Sequence, residues 1–230
     1  MLIGKQAFEK IQNAHVAVFG IGGVGSYAAE TIARCGMGKI DLFDGDIVDS
    51  TNINRQVIAD HETIGKPKVE VMKDRILKIN PAAKINANFV FFDCSNASNY
   101  DFSAYDYIID AIDTLSSKIL LICKAKSEGA KIISCMGTGN KLNPCDFEVG
   151  DIFETENCAL ARVMRRELRK RKIDNLKVVY SKEKSKYIPE TTEKNGKRVN
   201  SSIAFVPPVA GMILASEVVK DIMGYGTEEV

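Results

Sequence analysis

The chain has 230 residues, with 31 Lys/Arg against 30 Asp/Glu, 45% hydrophobic and 27% charged residues. A chain of this length buries roughly 70% of its unfolded surface and needs no staple. Its ordinary composition excludes disordered and collagen-like classes.

In chain order, residues 15–19 form a short apolar β-type run. The turn Gly20-Ile21-Gly22-Gly23-Val24-Gly25 follows, and residues 24–35 are Ala-rich and helical in character. Residues 39–43 predict a second strand. Residues 67–79 predict a helix, because Val69, Met72, Ile76 and Ile79 recur near a 3.6 period before Asn80 and Pro81 end it. A third strand is expected within 84–92, a fourth at 107–111, a helix over 114–128 and a fifth strand at 131–135. Strands alternating with helices predict an α/β, Rossmann-like, doubly wound and mostly parallel sheet with helices on both faces.

After Gly137 the pattern changes to a strand at 147–152, a basic helix at 159–171 and another strand at 176–181. A polar tract at 182–201 reads as a mobile loop. A last helix at 207–223 opens on Pro207 and Pro208, which a helix N-terminus tolerates. The expected organisation is one unit over 1–230. Residues 1–136 form its nucleotide-binding part, and 137–230 a C-terminal α+β extension with a basic helix and loop.

The six cysteines (Cys35, Cys94, Cys123, Cys135, Cys145, Cys158) form no C-x-x-C pair, and His15 and His61 lie near none of them, so no structural zinc is expected. The apolar stretch 203–215 is too short to cross a bilayer, and no secretory leader is visible. A reducing, cytoplasmic home without membrane contact follows as the expectation. Charge is unevenly spread: residues 160–198 hold 14 Lys/Arg against 5 Asp/Glu, which suits either a polyanion-binding surface or a solvated face.

The glycine turn between strand and helix suits phosphate binding at a helix N-terminus. Asp44, 19 residues after Gly25, stands where a carboxylate accepts from ribose hydroxyls. Up to this point a dehydrogenase fits equally well. Thr51-Asn52-Ile53-Asn54-Arg55-Gln56 then sets amides and a guanidinium just past the ribose position, and Lys68 opens the next helix. Such a cluster suits a triphosphate, whose departing pyrophosphate must be met by cations and N–H donors. Asp113 follows the fourth strand at the carboxyl edge and is the natural Mg²⁺ ligand. Taken singly, Asn52 and Asn54 fit loop turns, Lys68 a solvated position and Asp113 an N-cap. Their order and spacing together favour the ATP reading.

These motifs, with Asp44-Gly45-Asp46, Gly65-Lys66-Pro67-Lys68, Asp110-Ala111-Ile112-Asp113, Gly137-Thr138-Gly139-Asn140, Ala159-Leu160-Ala161-Arg162 and Phe205-Val206-Pro207-Pro208, resemble the ATP-dependent adenylating enzymes of the ubiquitin-activating superfamily. Within that superfamily they are most similar to the tRNA threonylcarbamoyladenosine dehydratases. The resemblance implies ATP-dependent cyclisation of threonylcarbamoyladenosine in tRNA through an acyl-adenylate. It implies an ATP site at Gly20, Gly22, Gly23, Gly25, Asp44, Asp46, Asn52, Asn54, Arg55, Gln56, Lys68 and Asp113. In it Asp44 meets ribose, Asn54, Arg55 and Lys68 the phosphates, and Asp113 Mg²⁺, with Arg55, Lys68 and Asp113 carrying catalysis.

An intramolecular nucleophile makes an enzyme thiol unnecessary, so Cys158, the one cysteine in a loop before the basic helix, fits ordinary packing better than a catalytic role, the alternative it leaves open. Arg162, Arg165, Arg166, Arg169, Lys170 and Arg171, around an apolar stripe of Leu160, Val163, Met164 and Leu168, are candidates for tRNA contact, together with the loop 182–198. A homodimer is implied by resemblance alone, and a sulfur-relay protein is a candidate partner. Related enzymes often supply a phosphate-binding arginine from an N-terminal segment, whereas nothing basic precedes Lys5 here. The competing readings are activation of a ubiquitin-like sulfur carrier's C-terminus and a nucleotide-sensing tRNA-binding module without turnover.

Overall fold

A computed structural model describes residues 2–184 and 201–225, so most of the predicted loop at 182–201 lies outside the described residues. The first strand, β1 (His15–Phe19), runs into helix α2 (Gly25–Arg34) and is preceded by helix α1 (Gly4–Asn13), an element absent from the sequence expectations. Then follow β2 (Lys39–Phe43), α3 (Lys68–Ile79), β3 (Lys84–Asn88), β4 (Tyr107–Asp110), α4 (Leu115–Ser127) and β5 (Ile132–Cys135). The last part holds β6 (Phe147–Asp151), α5 (Ala159–Lys170), β7 (Lys177–Ser181) and α6 (Val206–Met223). Each predicted strand and helix is present within one to a few residues of its expected bounds.

The strands form one seven-stranded sheet in the order β3-β2-β1-β4-β5-β7-β6. All pairings are parallel except β6 with β7. The C-terminal strands therefore extend the same sheet rather than starting a second one.

Period-2 alternation sends Val16, Val18, Ile40, Leu42 and Ile109 to a core that they share with α2, α3 and α6. Ala17, Phe19, Phe43, Ile108 and Ile132 point to the opposite face, where they pack with α4 and α5. Burial on both faces explains why these strands read as nearly continuous apolar runs.

Helix α6 lies closely on α2. A Cβ at Gly211 would fall 2.3 Å from the Val24 carbonyl oxygen and 3.1 Å from the Ala28 nitrogen. Replacing Gly by Ala inside a helix ordinarily gains about 1 kcal/mol of propensity. Here the helices would have to separate, and overpacking costs about 1–3 kcal/mol. Gly211→Ala is therefore expected to lower the urea midpoint, and an unchanged or raised midpoint would show that the α2–α6 contact can relax.

Candidate active site

Chain order reverses between β1 and β4, and the register there sets three strand ends side by side: Phe19 pairs with Phe43 on one side and with Asp110 on the other. The residues that follow, Gly20, Asp44 and Ala111, emerge together at the carboxyl edge, where ligands bind in sheets of this kind. A cavity of about 550 Å³ opens there. A concavity of about 400 Å³, lined by Tyr107, Lys131 and Lys177 among others, lies at the amino ends of the strands and holds none of the sequence-predicted site residues.

The glycine turn forms the cavity floor. Gly20 has φ +88°, in the left-handed region, and a Cβ there would stand 2.6 Å from the Ala111 carbonyl oxygen. A Cβ on Gly25 would lie 1.7 Å from the Gly20 carbonyl oxygen, so Gly25 closes the turn without itself lining the cavity. Gly22, Gly23 and Val24 line the cavity just before α2, whose start carries no side-chain cap. Backbone N–H groups so placed suit a phosphate.

Asp44 has both carboxylate oxygens held by the backbone: the Ile21 N–H donates to one at 2.6 Å and the Asp46 N–H to the other at 2.8 Å. Each oxygen keeps a lone pair for a ribose hydroxyl. Burial raises the Asp44 pKa above the usual carboxylate value, against a lowering by the nearby Lys68 cation and by these N–H bonds.

Lys68 is 95% buried, with 5% of its surface exposed, and its Nζ donates to Asp46 Oδ2 at 2.7 Å. A bridge between Ile47 and Pro67 aligns the two residues, and the Lys68 N–H donates to the Asp46 carbonyl at 3.0 Å. Asp46 is half-exposed, so an arriving phosphate can take its place on Lys68.

Asn52 is buried and structural: with Asp49 it makes a reciprocal capping box around residues 50–52 while also lining the cavity. Arg55 donates to the Thr51 carbonyl at 2.8 Å and to Asn54 Oδ1 at 2.9 Å. Asn54, expected on the phosphates, instead stands outside the cavity lining: its Nδ2 donates to the Ser202 carbonyl at 3.0 Å and its Oδ1 accepts from Arg55, which does line the cavity. Gln56 lines the cavity with its Oε1 buried and unpartnered. Asp113 is exposed on the cavity wall, with the Thr114 hydroxyl 3.4 Å away. It is not the N-cap of α4; Thr114 is, without a side-chain cap bond.

Several lining residues had no assigned role in the sequence: Phe91, Ser117, Met136 and Ser202; Leu160, assigned to the apolar stripe of the basic helix, lines the cavity as well. Phe91 packs against Gly45, where a Cβ would meet its ring at 2.6 Å. The glycines at 137 and 139, noted only as a motif, also line the cavity. Cys158 is buried and N-caps α5, its Sγ accepting from the Ala161 N–H at 3.5 Å. Cys135 lines the cavity, but burial pushes its thiol up to about 12, so it carries no thiolate at neutral pH.

On α5, Met164 and Leu168 are buried as the stripe predicts. Arg165 departs from the basic face: its guanidinium turns inward to the carbonyl and hydroxyl of Thr155. Glu167 gathers Lys170 and Arg171 at 2.9 Å each, and these cations hold its pKa down to about 2. Arg162, Arg166 and Arg169 remain exposed, with Arg169 over the Phe153 ring. The loop 182–198, also expected to contact RNA, lies mostly outside the described residues.

A glycine turn, a ribose-competent carboxylate and a buried lysine meeting at the switch point of a doubly wound sheet define a nucleotide-binding α/β protein. The ThiF family profile matches residues 1–230, and the chain belongs to that family. It is 41% identical to a tRNA threonylcarbamoyladenosine dehydratase of Bacillus subtilis (strain 168), over 97% of this chain and 92% of that one. A protein of the same name from Escherichia coli (strain K12) is 38% identical over 73% of this chain and 63% of its own. The solved E. coli tRNA N6-threonylcarbamoyladenosine dehydratase in complex with ATP superposes with a TM-score of 0.88 at 32% identity, covering 100% of this chain and 93% of that chain. Among the described residues no helix is long and apolar enough to cross a membrane, and no group of three or more His, Cys, Asp or Glu could hold a metal ion.

Because the Asp44 pKa is raised, its carboxylate protonates at a higher pH than an ordinary Asp. AMP affinity is therefore expected to fall with decreasing pH before the usual carboxylate range is reached, as ribose hydroxyls lose their acceptor. Calorimetric titration across pH, with Asp44→Asn as reference for the nucleotide's own titration, checks this; identical pH profiles would remove Asp44 from the ribose.

Proposed function

We propose that the protein is an ATP-dependent dehydratase that cyclises N6-threonylcarbamoyladenosine in tRNA by adenylating its carboxylate. The observation that carries this is the meeting of Asp44, Arg55, Lys68 and Asp113 on the glycine turn, in a chain similar over nearly its whole length to proteins of that name.

ATP lies with its ribose on Asp44, its phosphates on the turn before α2 and its pyrophosphate end towards Arg55 and Lys68. A carboxylate oxygen of the modified nucleoside attacks the α-phosphorus, and the bond to pyrophosphate breaks. Arg55 and Lys68 meet the charge that develops on the leaving group. A nucleophile within the same modification then attacks the acyl carbon, loses its proton and expels AMP. The net change is loss of one water, coupled to conversion of ATP to AMP and pyrophosphate. Both reacting groups belong to one nucleoside, so proximity supplies much of the second step.

Mg²⁺ fits this site as a companion of the triphosphate: Asp113 would supply one carboxylate, and phosphate oxygens and waters the remainder, since the described residues hold no metal-binding cluster.

Leu160, in the first turn of α5, lines the cavity, so the basic helix starts at its mouth. A nucleoside seated in the cavity would bring its flanking phosphates to Arg162, Arg166 and Arg169. We assign tRNA binding to this face, and take a cytoplasmic homodimer as the working assembly. A sulfur-relay protein remains a candidate partner. The homodimer rests on family likeness, and the tRNA face on the basic helix that opens at the cavity.

Incubating the protein with ATP and threonylcarbamoyladenosine-bearing tRNA, then digesting to nucleosides, is expected to reveal a product lighter by about 18 Da, one water. Arg55→Ala and Asp113→Ala should each slow its formation roughly 10²–10³-fold. Undiminished product in these variants would remove Arg55 and Asp113 from catalysis, and absence of product from the parent protein would leave only a nucleotide-sensing RNA binder. Reversing charge at Arg162, Arg166 and Arg169 is expected to weaken tRNA binding and flatten its salt dependence by about one unit of log–log slope per lost phosphate contact. Unchanged affinity at moderate salt places the RNA elsewhere.

A further inference from the structure

Beneath the cavity lies an ion pair that the proposed chemistry does not use. Asp110, at the end of β4, and Lys118, one turn into α4, have side chains 0% and 1% exposed. Lys118 Nζ donates to Asp110 Oδ2 at 2.7 Å and to Ser134 Oγ at 3.1 Å, while the Ser134 hydroxyl donates to the same Asp110 oxygen at 2.5 Å. Ser134 stands directly opposite Asp110 in the β4–β5 ladder and is itself fully buried. The other Asp110 oxygen accepts the Ile112 N–H at 3.1 Å.

Each member adjoins in sequence a residue or segment that lines the cavity. Asp110 precedes Ala111, Ile112 and Asp113; Ser134 precedes Cys135, Met136 and Gly137; Lys118 follows Ser117. The Asp110 carboxylate fixes the Ala111–Ile112 peptide, in the turn that leads to Asp113. The same turn supports the glycine loop, since Cβ atoms at Gly20 and Gly25 would stand 2.6 Å from the Ala111 carbonyl oxygen and 3.2 Å from the Ala111 Cβ.

We propose that Lys118, Asp110 and Ser134 form a positioning triad that ties β4, β5 and α4 into one rigid edge and so sets Asp113 for the Mg²⁺-bound triphosphate. None of the three residues touches the cavity, so they are positioning residues. The inference rests on the reading of Asp113 given above.

The test measures ATP affinity by calorimetry with Mg²⁺ and in EDTA, alongside thermal melting and the steady-state split of kcat from KM. Lys118→Met alone leaves a buried unpaired carboxylate that endangers folding. The informative variants are therefore the neutral double change Asp110→Asn with Lys118→Met, and Ser134→Ala, which keeps the ion pair. Both are expected to melt close to the parent protein and to bind ATP in EDTA almost unchanged. The affinity gained on adding Mg²⁺ should shrink about tenfold in the double variant and less in Ser134→Ala, with kcat falling more than KM rises, since displacement of a positioned group by an ångström costs up to about 10²-fold. If the double variant fails to fold, Ser134→Ala decides alone. Folded variants that keep the full Mg²⁺ gain overturn the proposal. So do variants whose EDTA affinity, Mg²⁺ gain and melting fall together, which is the mark of a merely structural triad. Asp113→Ala separates the two levels: loss of the Mg²⁺ gain there, with retention in the triad variants, sinks only the triad. Retention in Asp113→Ala removes the metal reading and the triad with it.

Discussion

The approach of two backbone turns at the centre of the sheet governs the rest of the site. The Gly20 carbonyl occupies the place where a side chain at Gly25 would have to go, and Gly20 itself rests on Ala111. That contact requires β1 and β4 to end level, which the pairing of Phe19 with Asp110 provides. Once they are level, the loop after β1 reaches only as far as Asp44, whose carboxylate accepts the Ile21 N–H. A cradle of backbone N–H groups, a ribose acceptor and an acidic edge residue then follow from strand register and the absence of two side chains.

Much of this was legible because the signals are local. The glycine turn, the period-2 strands and the helix at 67–79 announce themselves within windows of a dozen residues. Helix α1 was legible too, since Ala7, Phe8 and Ile11 keep a helical spacing, whereas the docking of its Phe8 ring on Gly36 was not. Such partnerships across the fold escape because no local window contains both members. Lys68 meets Asp46 only because Ile47 bridges to Pro67, and Asp110 meets Ser134 only through parallel strand pairing. Arg165 shows the converse error. Composition groups it with the cationic face, whereas helical geometry turns it to Thr155, and nothing in the spacing of basic residues distinguishes it from Arg166.

Lys68 in the cavity and Lys118 beneath it are held in opposite ways. Lys68 is buried but pairs with a carboxylate about half exposed, at 54%, so exchanging that partner for a phosphate leaves Asp46 in water at little cost. The lysine side is thus kept desolvated and neutralised until a polyanion arrives, and only the acidic partner has to move. Arg55 is likewise restrained by the Thr51 carbonyl and Asn54, which fix its fork before a ligand is present. Such prior restraint removes part of the ordering cost that binding would otherwise carry.

Lys118 cannot exchange its partner, because Asp110 is wholly enclosed and each of its oxygens is already engaged. On stability alone such a pair has little justification: replacing a buried ion pair by apolar groups of similar volume is often neutral or favourable by about 1–4 kcal/mol. The flanking positions Ile109, Ile119 and Ile133 show that apolar side chains pack readily at this depth. What an apolar substitute could not do is accept the Ile112 N–H and bind a strand, its neighbour and a helix through directional bonds. Apolar contacts tolerate sliding, whereas a carboxylate held from three sides does not. The ion pair is therefore best understood as a constraint on position, placed where a shift of the Ala111–Asp113 turn would move the glycine loop and the edge carboxylate together.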